Sequence, residues 1–501
     1  MKKSFPLFAA SLLTLAVAGH ATAEDKRYIV TFKHGKSESV NSFMNKRGGR
    51  RALEIRRHNA MAAHLSAEAL KEMRSNPDIA FIEEDVKRYP MSQDIPYGIP
   101  MVQADQLGDS QAGNRTICII DSGYDIVHED LSGNAVTGSS DPDGAGNWYE
   151  DQSGHGTHVA GTIAAMNNDT GVAGIMPSSN INLHIVKVFG GDGWAYSSSL
   201  MEAAEVCAEN GANVINMSLG GESPNAFERR AFSSLNRRGI LSIAAAGNDG
   251  NTAHSYPASY SSVLSVGAID SSKEIWSSSQ QTNQVELSAP GVQVLSSVPT
   301  NTGRISSLTL NGTEVEAAPI SGTPAGEITG YLEDCGTAES ACISAAGKLC
   351  LIERGNISFA EKVLNCESGG GVGAIVYNNE DGLLSSATLG DTATNIPSVG
   401  ISDIDGAALL LQLSANVHLV NEATSYEYFN GTSMATPHVA GVTALVWSHF
   451  PNCSNTEIRN ALTATAEDLG DAGRDNAYGY GLVQAKAAYD YLSLNGCSGL
   501  I

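Results

Sequence analysis

A chain of 501 residues is too long for one ordinary domain and long enough to bury several cores. Its 42% hydrophobic and 17% charged content, with 52 glycines, describes a globular, loop-rich protein and excludes a disordered one. A net charge of −24 argues against nucleic acid or an anionic membrane as partner.

The first 23 residues read as an export signal. Lys2 and Lys3 open it, Phe5 to Ala18 is mostly apolar, and Ala21-Thr-Ala23 is a small-residue cleavage site. The apolar run is too short to span a bilayer and no other stretch is long enough, so a secreted chain without a membrane anchor is expected. Residues 24–91 carry 14 Lys/Arg against 10 Asp/Glu, whereas residues 92–501 carry 14 against 44. Such a split favours association of the basic segment with the acidic body; plain solubility of a secreted chain accounts for it equally well. Alternation in Tyr28–Phe32 and Ile79–Ile82, with a helical run from Ser66 to Arg74 between them, predicts a small α+β unit.

From residue 92 to about 299, short apolar runs alternate with helical patterns. The runs are Thr116–Ile120, Ile181–Val188, Val214–Met217, Leu241–Ala246 and Val263–Val266. Strands this apolar, separated by helices, predict an α/β fold: a parallel sheet flanked by helices on both faces. In such sheets the working residues sit at the carboxyl ends of strands. Asp121 follows its strand at once and Asn248 follows the run ending at Ala246, so both are expected in a cleft.

Eight cysteines in an exported chain suggest disulfides. Cys335, Cys342, Cys350 and Cys366 cluster closely and are expected to form two bridges, with 335–342 and 350–366 the favoured pairing among those that spacing leaves open. Cys453 and Cys497 could pin the C-terminal tail. Cys118, inside an apolar run, and Cys207, on a helix-like stretch, are expected to be buried thiols rather than a bridge.

Three strings carry the chemistry: Asp121-Ser-Gly, His155-Gly-Thr-His-Val-Ala-Gly and Gly431-Thr-Ser433-Met-Ala-Thr-Pro-His-Val-Ala-Gly. A serine hydroxyl is a poor nucleophile at neutral pH. It needs a histidine to take its proton and a carboxylate to hold that histidine's tautomer. No His-Glu-x-x-His string occurs, which disfavours zinc hydrolysis. The order Asp, His, Ser, with these small-residue flanks, resembles the subtilisin family of serine proteases.

That resemblance implies a secreted endopeptidase with Asp121, His155 and Ser433 as triad and Asn248, in Ala244-Ala-Ala-Gly-Asn-Asp-Gly250, as oxyanion donor. His158 and His438 would be helix-packing residues. Residues 24–91 resemble the family's inhibitor-type propeptide, an intramolecular inhibitor and folding aid, and Ser92-Gln-Asp-Ile-Pro-Tyr-Gly98 is similar to a mature N-terminus. Self-cleavage after Met91 would favour large apolar side chains before the cut. Gly191, Gly193, Ser218, Leu219 and Gly220 would flank an extended protein or peptide substrate, with Asp249 near the pocket base. Gln93, Asp130, Met166, Asn168, Thr170 and Val172 match the family's strong structural calcium site, a set of hard oxygen donors. From Asn248 to Ser433 is 185 residues, beyond the short connection of minimal members. Within it, Gly347–Gly355, Ser358–Cys366 and Gly373–Asn378 resemble a protease-associated domain. The implied layout is signal 1–23, propeptide 24–91, peptidase 92–299 and 425–501, and a mainly β or α+β insert at 300–424. Two other readings stay open: a processing enzyme preferring basic residues, and a catalytically silent binding protein. A monomer is expected.

Overall fold

A computed structural model describes residues 26–84, 93–140, 145–190, 193–385, 387–390 and 392–499. The expected signal cleavage site, the expected junction Met91–Ser92 and Gly191 lie outside the described residues. The chain divides into two units, Met1–Pro90 and Met91–Ile501.

In the first unit four antiparallel strands run in the order Arg50–Ile55, Ala60–Leu65, Lys26–Phe32, Ile79–Glu84. Residues two apart on a strand share a face, and Val30 and Phe32 bury that face against Val40 and Met44 of helix Ser37–Asn45 and Met73 of helix Ala67–Arg74. Ser66 stops the chain from fraying at the second helix by accepting the Ala69 amide at 3.1 Å. This is the expected α+β unit.

The second unit is built on a seven-stranded sheet in the order Val285–Pro290, Val263–Ile269, Leu241–Ala245, Val214–Met217, Thr116–Asp121, Asn182–Lys187, Ala135–Ser140. All neighbours are parallel. Its central strands are apolar on both faces because both are covered. Ile117 and Ile119 pack with helices His155–Ala164 and Thr432–His449, while Cys118 and Ile120 pack with Ser197–Glu209 and Ala226–Arg237. The edge strand Ala135–Ser140 has no apolar run, since one of its sides faces solvent; the residue pattern does not announce it.

One expectation is corrected. Cys118 and Cys207 are bridged, with Cα atoms 5.6 Å apart, rather than free thiols. Apolar flanks correctly placed each in the core; they could not say that this strand position and this helix position face each other. Cys335–Cys342, Cys350–Cys366 and Cys453–Cys497 are the other bridges.

Strands Val294–Ser297 and Tyr426–Phe429 pair antiparallel and lead into the insert. Gly303–Leu310 and Val417–Thr424 then pair along their length, from Gly303↔Thr424 to Leu310↔Val417. The ends of the insert are therefore neighbours, and its length adds little closure entropy to the core. Beyond them, a five-stranded sheet from Leu332–Asp334 to Ala318–Pro319 carries helices Phe359–Ser368 and Asp403–Leu410. Among the described residues no helix is long and apolar enough to cross a membrane.

Candidate active site

Asp121 ends the strand Thr116–Asp121 and is fully buried. Its Oδ1 accepts from the Ser122 amide at 2.8 Å and meets His155 Nδ1 at 2.7 Å. Its Oδ2 is buried without a hydrogen-bond partner among the described residues. His155 is the first residue of its helix, behind Gly154 at φ +82°, a left-handed turn suited to glycine. Glycine is also required at 156, where a Cβ would lie 2.3 Å from the Gly123 carbonyl oxygen. Burial lowers the pKa of His155, but the charge and hydrogen bond of Asp121, aided by Asp151, outweigh it and hold the imidazole above its ordinary value.

Ser433 lies in the first turn of helix Thr432–His449. Its Oγ donates to the Ser218 carbonyl at 3.0 Å, and Ser218 Oγ donates to the Ser433 carbonyl at 2.7 Å. The second bond has a cause in the sequence. Pro437, inside this helix, has no N–H to give the carbonyl four residues back, so Ser433 O is free for Ser218. No hydrogen bond joins Ser433 to His155 in this conformation; such bonds are commonly loose before substrate is bound. Asn248 completes the group. Its Oδ1 accepts from the Thr432 amide at 3.0 Å and the Thr432 hydroxyl at 2.8 Å, which fixes the amide and leaves Nδ2 to donate.

Two cavities adjoin these residues. One, of about 450 Å³, is lined by Asp121, His155, Gly193, Ser218, Leu219 and Gly220, with the exposed edge-to-face pair Trp194 and Tyr196 at its mouth. The other, of about 540 Å³, is lined by Ser433, Asn248, Asp249 and Glu222 and shares Leu219 and Gly220 with the first. His158 and His438 are elsewhere in the core. Burial holds His158 down to about 3 and His438 to about 4, so both are neutral; His158 stacks on Phe429 and meets the Val294 carbonyl at 3.0 Å. A buried carboxylate, a basic imidazole, a hydroxyl at a helix start and an oriented amide are together the parts of acyl transfer.

The subtilase family model matches residues 113–326 and 402–481, and the PA domain model matches 314–409. Subtilisin E of Bacillus subtilis (strain 168) is 36% identical over 488 residues, covering 95% of this chain and 94% of its own. Subtilisin DY of Bacillus licheniformis is 39% identical over 403 residues, 79% of this chain and 99% of its own. The crystal structure of the psychrophilic subtilisin-like protease Apa1 from the Antarctic psychrotroph Pseudoalteromonas sp. AS-11 is 44% identical with a TM-score of 0.65, covering 82% of this chain and all 100% of that one.

The chain belongs to the subtilase family. It is a serine endopeptidase with a PA domain inserted in its peptidase domain. Two residues near the site of this subtilase carry no signal in the three strings. Asp151 accepts from the amides of Ser153, Gly154 and Thr157 and from the hydroxyls of Thr157 and Ser122, and so fixes the start of the His155 helix. Lys187 is fully buried beside Asp121 in the sheet register, and its Nζ donates to the Glu150 carbonyl and Gln152 Oε1, both at 2.6 Å. Burial lowers its pKa against the pull of Asp151 and Glu150. A buried lysine in a strand is legible as an oddity, but its partners come from another loop.

The six expected calcium ligands also gather. Gln93 Nε2 meets the carbonyls of Met166 at 2.5 Å and Val172 at 2.8 Å. Asn168 Nδ2 meets Asp130 Oδ1 at 3.0 Å, and Asn168 Oδ1 accepts from the Thr170 amide at 3.1 Å. Asp130 is fully buried, and burial raises its pKa against the bonds it accepts.

Proposed function

We propose that Ser433 attacks the scissile carbonyl while His155 takes its proton, Asp121 holds the imidazole, and Asn248 Nδ2 with the Ser433 amide receives the oxyanion. The 2.7 Å bond from buried Asp121 to His155 carries this reading, since it fixes the tautomer that leaves Nε2 to act as base. His155 then passes the proton to the leaving amine, and water releases the acyl group from Ser433. A fluorophosphonate probe labelling Ser433, and lost in Ser433→Ala, tests it. Absence of label on a folded chain would favour a silent binding protein.

The substrate lies as an added strand between Gly193 on one side and Ser218–Gly220 on the other. Large apolar side chains before the cut fit the broad cavity beside Ser433, whose walls include Ala245 and Gly247. A narrower preference for Lys or Arg has Asp249 and Glu222, in the same cavity, in its favour. A peptide library decides between the two. Residues 24–91 act as inhibitor and folding aid until cut from 92–299 and 425–501 at Met91–Ser92, with 300–424 as the insert. Ser433→Ala should remain uncut in a pure preparation. The mature chain acts outside the cell as a monomer on proteins and peptides.

A structural calcium ion is part of this reading. The fit rests on donor chemistry: the Met166 and Val172 carbonyls converge on the Gln93 amide, whose oxygen and nitrogen exchange places by a half-turn about the Cγ–Cδ bond. Gln93 and Asn168 amide oxygens, the Asp130 carboxylate and the carbonyls of Met166, Thr170 and Val172 would then hold a hard cation and tie residue 93 to the 166–172 loop.

A further inference from the structure

A third cavity opens at the seam between the insert and the catalytic core. It holds about 240 Å³ and is lined by Gln152, Ser153, Phe429 and Glu427 from the core and by Arg304 and Thr323 from the insert. Ser153 lines this cavity and the His155 cleft alike, so the two share a wall two residues before the histidine. Phe429 lies four residues before Ser433, and Asn430 Nδ2 donates to the insert's Ser385 carbonyl at 3.1 Å. The insert thus reaches the approach to the serine. Neither the Gly193 edge nor the Ser218–Gly220 edge contributes to the seam. Because those edges carry the acyl side of the proposed substrate and the seam contains neither, the seam is assigned to the opposite, leaving-group side.

The seam is charged and pre-organised. Arg304 spends Nε on the Thr323 carbonyl at 3.1 Å and Nη1 on the carbonyls of Thr302 and Gly303 at 3.1 and 2.7 Å. These bonds fix the guanidinium plane, while Nη2 makes no hydrogen bond among the described residues. Glu427 faces the same space, and its carboxyl forms neither hydrogen bond nor ion pair among the described residues. Burial raises it to about 7 against the pull of Arg304. A fixed guanidinium with an unused edge beside a carboxyl that is partly neutral near pH 7 is a receptor for an anion of carboxylate shape.

We propose that this seam is a binding site for a carboxylate on the leaving-group side of the substrate, with Arg304 of the inserted domain as its specificity determinant. The insert is then part of the substrate site. The proposal rests on the triad reading above. The carboxylate has two possible sources: an acidic side chain shortly after the cut, or the free terminus of a short leaving peptide.

The test uses the mature enzyme and quenched peptides with one acyl side and Glu, Gln or Lys at the first or second position after the cut, each with a free or amidated terminus. A chromogenic anilide, which has no residues after the cut, is run with every variant, and each peptide rate is divided by that variant's anilide rate. Anilide hydrolysis by the wild type keeps the triad reading separate; its absence would overturn both. In the wild type, Glu over Gln, or free over amidated terminus, should be favoured about five- to tenfold in kcat/KM, as expected of one partly solvated charge-assisted pair. Which pair shows the preference names the source. Arg304→Met should bring the ratio to about one. Glu427→Gln, which removes the competing carboxylate, should raise it above the wild-type value at pH 8, and decides the matter if Arg304→Met does not fold. Equal wild-type rates for Glu and Gln and for both termini, a preference that survives Arg304→Met, or no rise in Glu427→Gln would overturn the proposal.

Discussion

At Asn248 the side-chain oxygen is already engaged by Thr432, so only the nitrogen is left to meet a developing negative charge. Asn248→Ala should therefore lower kcat with little change in KM. The expected loss is about 10²–10³, a magnitude established on a subtilisin and carried over here; a change confined to KM would contradict the role. His155 has its own signature. Because Asp121 holds the imidazole above its ordinary pKa, the protonated form, which cannot act as base in the proposed mechanism, persists to higher pH. The acid limb of kcat/KM for a non-titrating anilide should rise with a midpoint above about 6.5. Asp121→Asn removes the charge that raises it, so the midpoint should fall, with kcat down by about 10⁴. An unmoved limb would mean that another group sets it. Lys187 is a positioning residue: it holds the loop whose Asp151 starts the His155 helix. Lys187→Met removes the donor of two part-buried hydrogen bonds, to the Glu150 carbonyl and Gln152 Oε1, at about 0.5–1.5 kcal/mol each. Lower kcat at near-constant KM, together with a lower midpoint of thermal inactivation, is expected; neither moving would remove Lys187 from the account.

At the scale of elements, the site exists because one strand and two helix starts converge. The strand Thr116–Asp121 delivers a carboxylate at its end, and helices His155–Ala164 and Thr432–His449 present the imidazole and the hydroxyl in their first turns. Both helices are buried around most of their circumference, which locks their rotation and so the aim of those side chains. The Cys118–Cys207 bridge ties the same central strand to helix Ser197–Glu209 and closes a separation of 89 residues. Replacing both cysteines by alanine should cost about 2–5 kcal/mol, read as a shorter half-life of thermal inactivation with kcat retained. An unchanged half-life would mean that opening of this helix does not limit survival.

On the scale of the whole molecule, the residues proposed to hold calcium come from three separate stretches, 93, 130 and 166–172, and an ion there would tie them without touching the proposed triad. Chelation should leave the first turnovers intact and speed thermal inactivation. Calcium at about 100 times its dissociation constant should restore about 2.7 kcal/mol. Asp130→Asn should make the chain insensitive to chelator, and a chelator-sensitive Asp130→Asn chain would place the ion elsewhere.

The three strings, the apolar strand cores and the small-residue helix starts were legible because each is local. A buried parallel strand must be apolar on both faces, and a helix start that approaches another backbone must be glycine. The residues proposed to hold calcium were also singled out by local motif, and the fold brings them together. Tertiary structure alone decided the rest. Cys118 and Cys207 each read as buried, but their pairing depends on how a helix crosses a sheet. Asp151 and Lys187 are ordinary residues until folding sets them against His155's helix and Asp121's strand. Arg304 and Glu427 belong to segments 123 residues apart in the chain, and only the antiparallel pairing of the insert's two ends brings them to one seam. Local sequence records what a residue must be for its own backbone and burial; which distant residue it will face is set by packing, and that appears only in three dimensions.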